Sequence, residues 1–119
     1  MAPPFGPVIV ASVALTSQTA SIGNTTLYTP EEDGDYLATG YLEIPSTSHG
    51  DGDAALYFTW QDDIQAESGS GIIAQYPAFG ISGHQVIRAK SGYAIQYHVD
   101  FLLGANTPWF NVFIKLVRL

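Results

Sequence analysis

The sequence predicts an all-β fold, an antiparallel sandwich or a closed barrel, on three observations. Apolar residues alternate with polar ones at period two, not at helical spacing. Tyr, Phe, Val, Ile and Thr, the residues strands prefer, dominate the apolar runs. Gly and Pro recur so often that no window of about a dozen residues keeps an uninterrupted helical stripe.

The elements follow in order. Val8 to Ser17 reads as a first strand behind a Pro-rich arm, Met1 to Pro7. It reads as neither a signal peptide nor a membrane span, because no Lys or Arg precedes it and it is too short to cross a bilayer. Ala20 to Tyr28 is a second strand, and Thr29 to Gly34 turns the chain. Asp35 to Ile44 is the third. It sets Tyr36, Ala38, Gly40, Leu42 and Ile44 against Leu37, Thr39, Tyr41 and Glu43, and Pro45 stops it. After a polar loop, Ala54 to Gln61 alternates Leu56, Phe58 and Trp60 against Tyr57 and Thr59. Asp62 to Gly71 is a polar connection, and Ile72 to Tyr76 a weak edge segment. A Gly-punctuated linker around Gly80 and Gly83 leads to a strand from Gln85 to Lys90. Gly92 to Leu103 is the longest alternation, with Tyr93, Ile95, Tyr97, Val99, Phe101 and Leu103 on one face. Trp109 to Leu119 closes the sequence. The tally is about eight strands in one domain, 8–119, with an arm at 1–7.

Composition narrows the partners. The 119 residues suit one domain, and with no cysteine there is neither a disulfide framework nor a thiolate metal site. Charged residues make up 13%, about half the usual share, so Ser, Thr, Asn, Gln and Gly must cover much of the surface. Such a surface favours an extracellular or virion setting, or a protein that covers itself by oligomerising. The net charge is −7, with Arg88, Lys90, Lys115 and Arg118 the only basic residues. That disfavours nucleic acid and anionic membranes as partners, and no membrane insertion is expected.

The last eleven residues are apolar on both faces. Phe110, Val112, Ile114 and Leu116 alternate with Trp109, Phe113 and Val117. In a two-layer sandwich a strand buried on both faces needs a third cover, and a partner subunit is the simplest one.

The sequence also has a family likeness. A strand near Val10–Leu15 is followed by Thr26-Leu27-Tyr28-Thr29-Pro30, and then by Gly34-Asp35-Tyr36-Leu37 opening a strand. A Tyr-rich penultimate strand and a final aromatic-to-Leu strand complete the order. This resembles the small jelly-roll domains of the tumour necrosis factor and complement-q-head (TNF-like) superfamily, in the short form of phage and bacterial reading frames. Gly34-Asp35-Tyr36 and Phe113-Ile114-Lys115-Leu116 carry the likeness, which extends from about Val8 to Leu119. No collagen-like Gly-x-y stalk precedes the domain. The resemblance implies a compact homotrimer with its last two strands near the threefold axis. Its interface would comprise Tyr93, Tyr97, Phe101, Trp109, Phe113 and Val117.

Candidate chemistry is sparse. His49-Gly50-Asp51-Gly52-Asp53 offers hard oxygen ligands for calcium but lacks the distal Glu of a full calcium loop, so a solvated turn is the simpler reading. Glu31-Glu32-Asp33 with Asp35 reads as a charged hairpin tip. Asp62 and Asp63, with Glu67, imitate a glycosidase pair, yet adjacent strand residues point to opposite faces. His49, His84 and His98 lack the spacing of a metal-dependent cupin, and His98 beside Asp100 reads as an interface pair or plain surface. Tyr57, Trp60, Tyr76 and Phe79 are either a sugar-stacking surface or packing residues. The expected function is therefore a non-enzymatic trimeric structural or binding module without metal or cofactor: a virion decoration, a fibre tip or a secreted ligand. The alternative is a carbohydrate-binding jelly roll, with calcium at Asp51 and Asp53 as an option.

Overall fold

The computed structural model describes residues 7–45, 52–69, 72–75, 78–103 and 109–119, with backbone alone at 72–75, 78–80 and 103. The described residues form nine strands and no helix: β1 (Val8–Gln18), β2 (Ile22–Tyr28), β3 (Gly34–Ile44), β4 (Gly52–Gln61), β5 (Ala66–Ser68), β6 (Ile72–Gln75), β7 (Ala78–Ala89), β8 (Ile95–Leu103) and β9 (Phe110–Arg118). Without a helix, none of these residues forms a helical membrane span.

Two antiparallel sheets face each other. The first has the order β1-β9-β3-β7 and the second β2-β8-β4-β5, with β6 also pairing β4. β5 and β6 pair with opposite ends of β4, so they act as two halves of one interrupted strand. The pairings β1 with β9, β2 with β8, β3 with β7, and β4 with β5 and β6 are then nested, like a long hairpin rolled on itself. Nested pairing of eight strand positions across two sheets is a jelly roll.

Period-two alternation decides what lies between the sheets. Tyr36, Ala38, Leu42 and Ile44 of β3, Leu56 and Phe58 of β4, and Ile95 and Val99 of β8 are buried. So are Phe110, Val112, Ile114 and Leu116 of β9. Aromatic pairs lock the layers together: Phe101 of β8 meets Phe110 of β9 at 4.7 Å between ring centres, and Tyr28 of β2 meets Tyr36 of β3 at 5.9 Å. Such tilted pairs add about 0.5–1.5 kcal/mol to simple burial. The two positions that carry the family likeness lie in core strands, Gly34-Asp35-Tyr36 opening β3 and Phe113–Leu116 within β9.

Three expectations about elements need correction. β7 includes both Gly80 and Gly83, because Gly83 pairs with Gly40 in a ladder that runs regularly from Gly34–Ala89 to Leu42–Ile81, and beside Gly80 the register only shifts before Ile44 pairs with Ala78. The connection after Gln61 contains β5, held by the Thr59–Ser68 and Gln61–Ala66 pairings. β8 starts at Ile95, not Gly92. Gly92 takes φ 82°, donates its N–H to the Pro30 carbonyl at 2.9 Å, and sits with Tyr93 in a turn.

Candidate functional site

The outer face of the β1-β9-β3-β7 sheet is organised in cross-strand rows. Ile9, Val117, Leu37 and Val86 are successive partners across the four strands and form an aliphatic row. Ser12, Lys115, Thr39 and His84 form a polar row beside it. Ala14, Phe113, Tyr41 and Ser82 form the third row. The rows follow from register: residues two apart share a face and meet their directly opposed neighbours, except that a shift between Ile9 and Ala11 spaces Ile9 and Ser12 of β1 by three.

The chemistry of the rows differs sharply. Ile9 and Val86 are 56% and 59% exposed, Tyr41 and Phe113 40% and 36%. The Tyr41 and Phe113 rings pack at 6.1 Å with planes tilted by 51°. Small residues at Ser12, Ala14 and Ser82 leave a shallow depression beside these rings, with Thr39, His84 and Lys115 on its other side. The result is two apolar patches over four strands, separated by one polar row. Exposed apolar patches edged by polar residues in this way mark contact sites.

The residues expected at a subunit interface divide into two groups. Phe113 lies on this outer face and Val117 in its aliphatic row, both on β9. Trp109 is partly buried just before β9. Tyr93 is 52% exposed in the turn before β8. Tyr97 and Phe101 are 3% and 7% exposed within the core of a single subunit, so their side chains have almost no surface left to share. Tyr41, Leu37, Ile9 and Val86 share this outer face, and the sequence pattern did not single them out. The alternation of β3 separates Tyr41 and Leu37 from the core, but their cross-strand neighbours cannot be read from one strand.

On the second sheet, Tyr57 and His98 oppose each other and stack at 4.9 Å with planes 20° apart. His98 Nδ1 is buried and has no hydrogen-bond partner among the described residues. Trp60 points into the core at 9% exposure while Tyr57 points outward, so these two cannot belong to one sugar-stacking surface. Tyr76 and the Phe79 side chain lie outside the described residues, as do His49 and Asp51 of the acidic loop.

The other carboxylates have structural partners. Asp62 accepts the Ile64 and Gln65 N–H groups at 2.8 and 2.7 Å, and the Gln65 bond first, then Ile64, holds its carboxyl below the usual range. Asp33 accepts the Ser91 N–H at 2.8 Å with the same effect. Arg88 bridges Asp35 of β3 and Asp63 after β4 at 3.5 and 3.6 Å, so Asp63 ties the two sheets together at this end. Among the described residues no group of three His, Asp or Glu side chains is disposed to hold a metal ion.

No protein-family model and no curated protein matches this chain. Solved structures do. The chain is similar to a vertex protein of PRD1 at 10% identity and a TM-score of 0.45, covering 94% of this chain and 99% of that one. It is similar to Eiger TNF from S. frugiperda at 12% identity and a TM-score of 0.44, covering 93% and 92%. A carbohydrate-binding module of Cellvibrio mixtus lichenase 5A, solved with cellotriose, aligns at 11% identity and a TM-score of 0.39 over 92% and 97%. The fold assignment itself rests on the nested strand pairing: this chain is an antiparallel β-sandwich of jelly-roll topology.

Proposed function

We propose that the chain is a non-enzymatic jelly-roll module that works by associating with copies of itself into a homotrimer. It would present its loops around an axis, as a virion decoration, a fibre tip or a secreted ligand. One observation carries this reading: the outer face of the β1-β9-β3-β7 sheet carries two exposed apolar patches, the Tyr41–Phe113 pair and the Ile9-Val117-Leu37-Val86 row, on either side of a polar row. Covering it removes apolar area from water at about 25 cal/mol per Å². The polar row through Lys115 and Thr39 gives the contact a register, since a misaligned copy would bury unpaired polar groups. Three copies presenting the same loops strengthen weak individual contacts through effective concentration.

Sedimentation equilibrium at micromolar concentration tests the proposal. The expected mass is three times the 12.8 kDa subunit. A mass equal to one subunit overturns it.

A further inference from the structure

The outer face of the second sheet points away from the proposed assembly surface and has its own chemistry. Thr26 of β2 pairs with Gln96 of β8, Gln96 with Thr59 of β4, and Thr59 with Ser68 of β5. Four neutral hydroxyl and carboxamide side chains therefore form a track across four strands. At a strand spacing of about 4.8 Å the track is about 14 Å long, room for roughly two to three sugar rings.

This track crosses a groove lined by Asn24, Thr59, Gln61, Glu67, Tyr93 and Gln96, among others. Tyr93 is 52% exposed at its wall, because the turn at Gly92 takes it out of β8 and away from the core. Thr59 and Gln96 are half-buried, and with Asn24 their side chains make no hydrogen bond among the described residues. Asn24 is exposed and the polar atoms of Thr59 and Gln96 remain open to solvent, so their donors and acceptors are available to a ligand. Here they face the groove together with an aromatic ring.

We propose that this groove binds a neutral oligosaccharide, with Gln96, Thr59 and Asn24 hydrogen-bonding its hydroxyls and Tyr93 packing against a sugar face. The lining selects that class. No Lys or Arg lines the groove, which argues against phosphorylated and sulfated ligands. Glu67 is its one charged group and already accepts the Gln65 Nε2 at 2.9 Å. Amides and hydroxyls left unpaired reject a purely apolar ligand, whereas a polyol with an apolar ring face satisfies both kinds of wall. The site does not depend on self-association, since it lies on the opposite side of the sandwich.

The test is calorimetric titration of the whole chain with neutral gluco-, xylo-, manno- and galacto-oligosaccharides, and with an acidic oligogalacturonide. Binding of at least one neutral oligosaccharide is expected, weakened about tenfold or more by Tyr93→Ala and by Gln96→Ala. Gln96→Glu, which keeps the size of the side chain but adds charge, should weaken it too. Leu102→Ser, 68% exposed and six residues along β8 from Gln96, should leave it unchanged. Circular dichroism confirms that each variant is folded. The proposal is overturned if no neutral oligosaccharide binds at millimolar concentration, if only the acidic one binds, or if the folded Tyr93→Ala and Gln96→Ala variants bind like the parent. A single-subunit mass with this binding intact would remove the assembly proposal and leave this one standing.

Discussion

Asn111 holds Ser17 in a left-handed backbone conformation: Ser17 has φ 55°, and its N–H donates to Asn111 Oδ1 at 2.8 Å. The cause is a bulge. β1 pairs Leu15 with Val112 but Gln18 with Phe110, so β1 carries an extra residue opposite Asn111. The other end of the Asn111 amide donates to Glu43 Oε1 at 2.8 Å, which joins β1, β9 and β3 through one side chain.

Asn111→Ala should therefore lose about 1–3 kcal/mol of unfolding free energy, because a sheltered N–H and a carboxylate both lose their partner. Asn111→Asp keeps the acceptor for Ser17 but sets a carboxylate against Glu43, and should fall between parent and alanine. Ser17→Val should cost more than Ser17→Gly, since a β-branched residue resists positive φ. Urea unfolding of the four variants checks the order.

The Phe101–Phe110 contact joins the sheets where β8 crosses β9, with both rings nearly or fully buried. Phe110→Ala should cost about 3–5 kcal/mol, the range for emptying an aromatic site in a packed core. A double-mutant cycle with Phe101→Ala should return a coupling of about 0.5–1.5 kcal/mol. A coupling near zero would show that the rings only fill space independently.

The core was legible in the sequence because parity survives folding. Once Tyr36, Phe58, Val99 and Phe110 are taken as inward, every second residue along their strands follows, and these are the buried ones. The same parity set Phe113 and Val117 against the core-facing residues of β9. Pairing was not legible. That Tyr41 meets Phe113, or that Gln96 lies between Thr26 and Thr59, depends on strands distant in sequence. Tyr97 and Phe101 show a related limit: an aromatic strand face looks alike whether it packs on its own second sheet or on a neighbour. The turn before β8 was missed because its determinant, the Gly92 N–H bond to Pro30, is not local.

Two glycines should respond differently to alanine. At Gly92 no atom lies within 4 Å of an added Cβ, so the cost of Gly92→Ala comes from its φ of 82° alone, about 1–2 kcal/mol. At Gly69 the added carbon would stand 2.7 Å from Gln85 Oε1, the tip of a flexible side chain that can swing away. Gly69→Ala should cost under about 1 kcal/mol, partly offset by a less flexible unfolded chain. Thermal unfolding of both variants measures the difference.

Stability should fall at both extremes of pH, for opposite reasons. The carboxyls of Asp33 and Asp62 are held below their ordinary values by backbone N–H bonds, from Ser91 and from Gln65 and Ile64. Their contribution is present above the ordinary carboxylate range and is lost as pH falls below about 4, because the unfolded chain takes up the protons first. Asp62→Asn and Asp33→Asn keep the acceptor oxygen and should flatten that acid slope. Burial, and then the neighbouring Tyr28, pushes the Tyr36 phenol up. Its folded state prefers the neutral form, so stability should decline as pH climbs past about 10, where the unfolded tyrosine ionises. Tyr36→Phe should remove that alkaline decline.

Phe113 and Leu116 are three residues apart on β9 and face opposite ways, which separates assembly from folding. Leu116 is fully buried between the sheets, so Leu116→Ala should cost about 2–5 kcal/mol in any oligomeric state. Phe113 is 36% exposed on a lone subunit, and Lys115 stands two residues along the same face. A single folded subunit can therefore carry Phe113→Asp with its carboxylate in water. In an assembled interface that carboxylate would be buried unpaired, at several kcal/mol for each copy. The expected result is a soluble, folded variant whose sedimentation mass drops to the 12.8 kDa subunit. A folded Phe113→Asp variant that keeps the mass of an assembled parent would place the contact on another face of the sandwich.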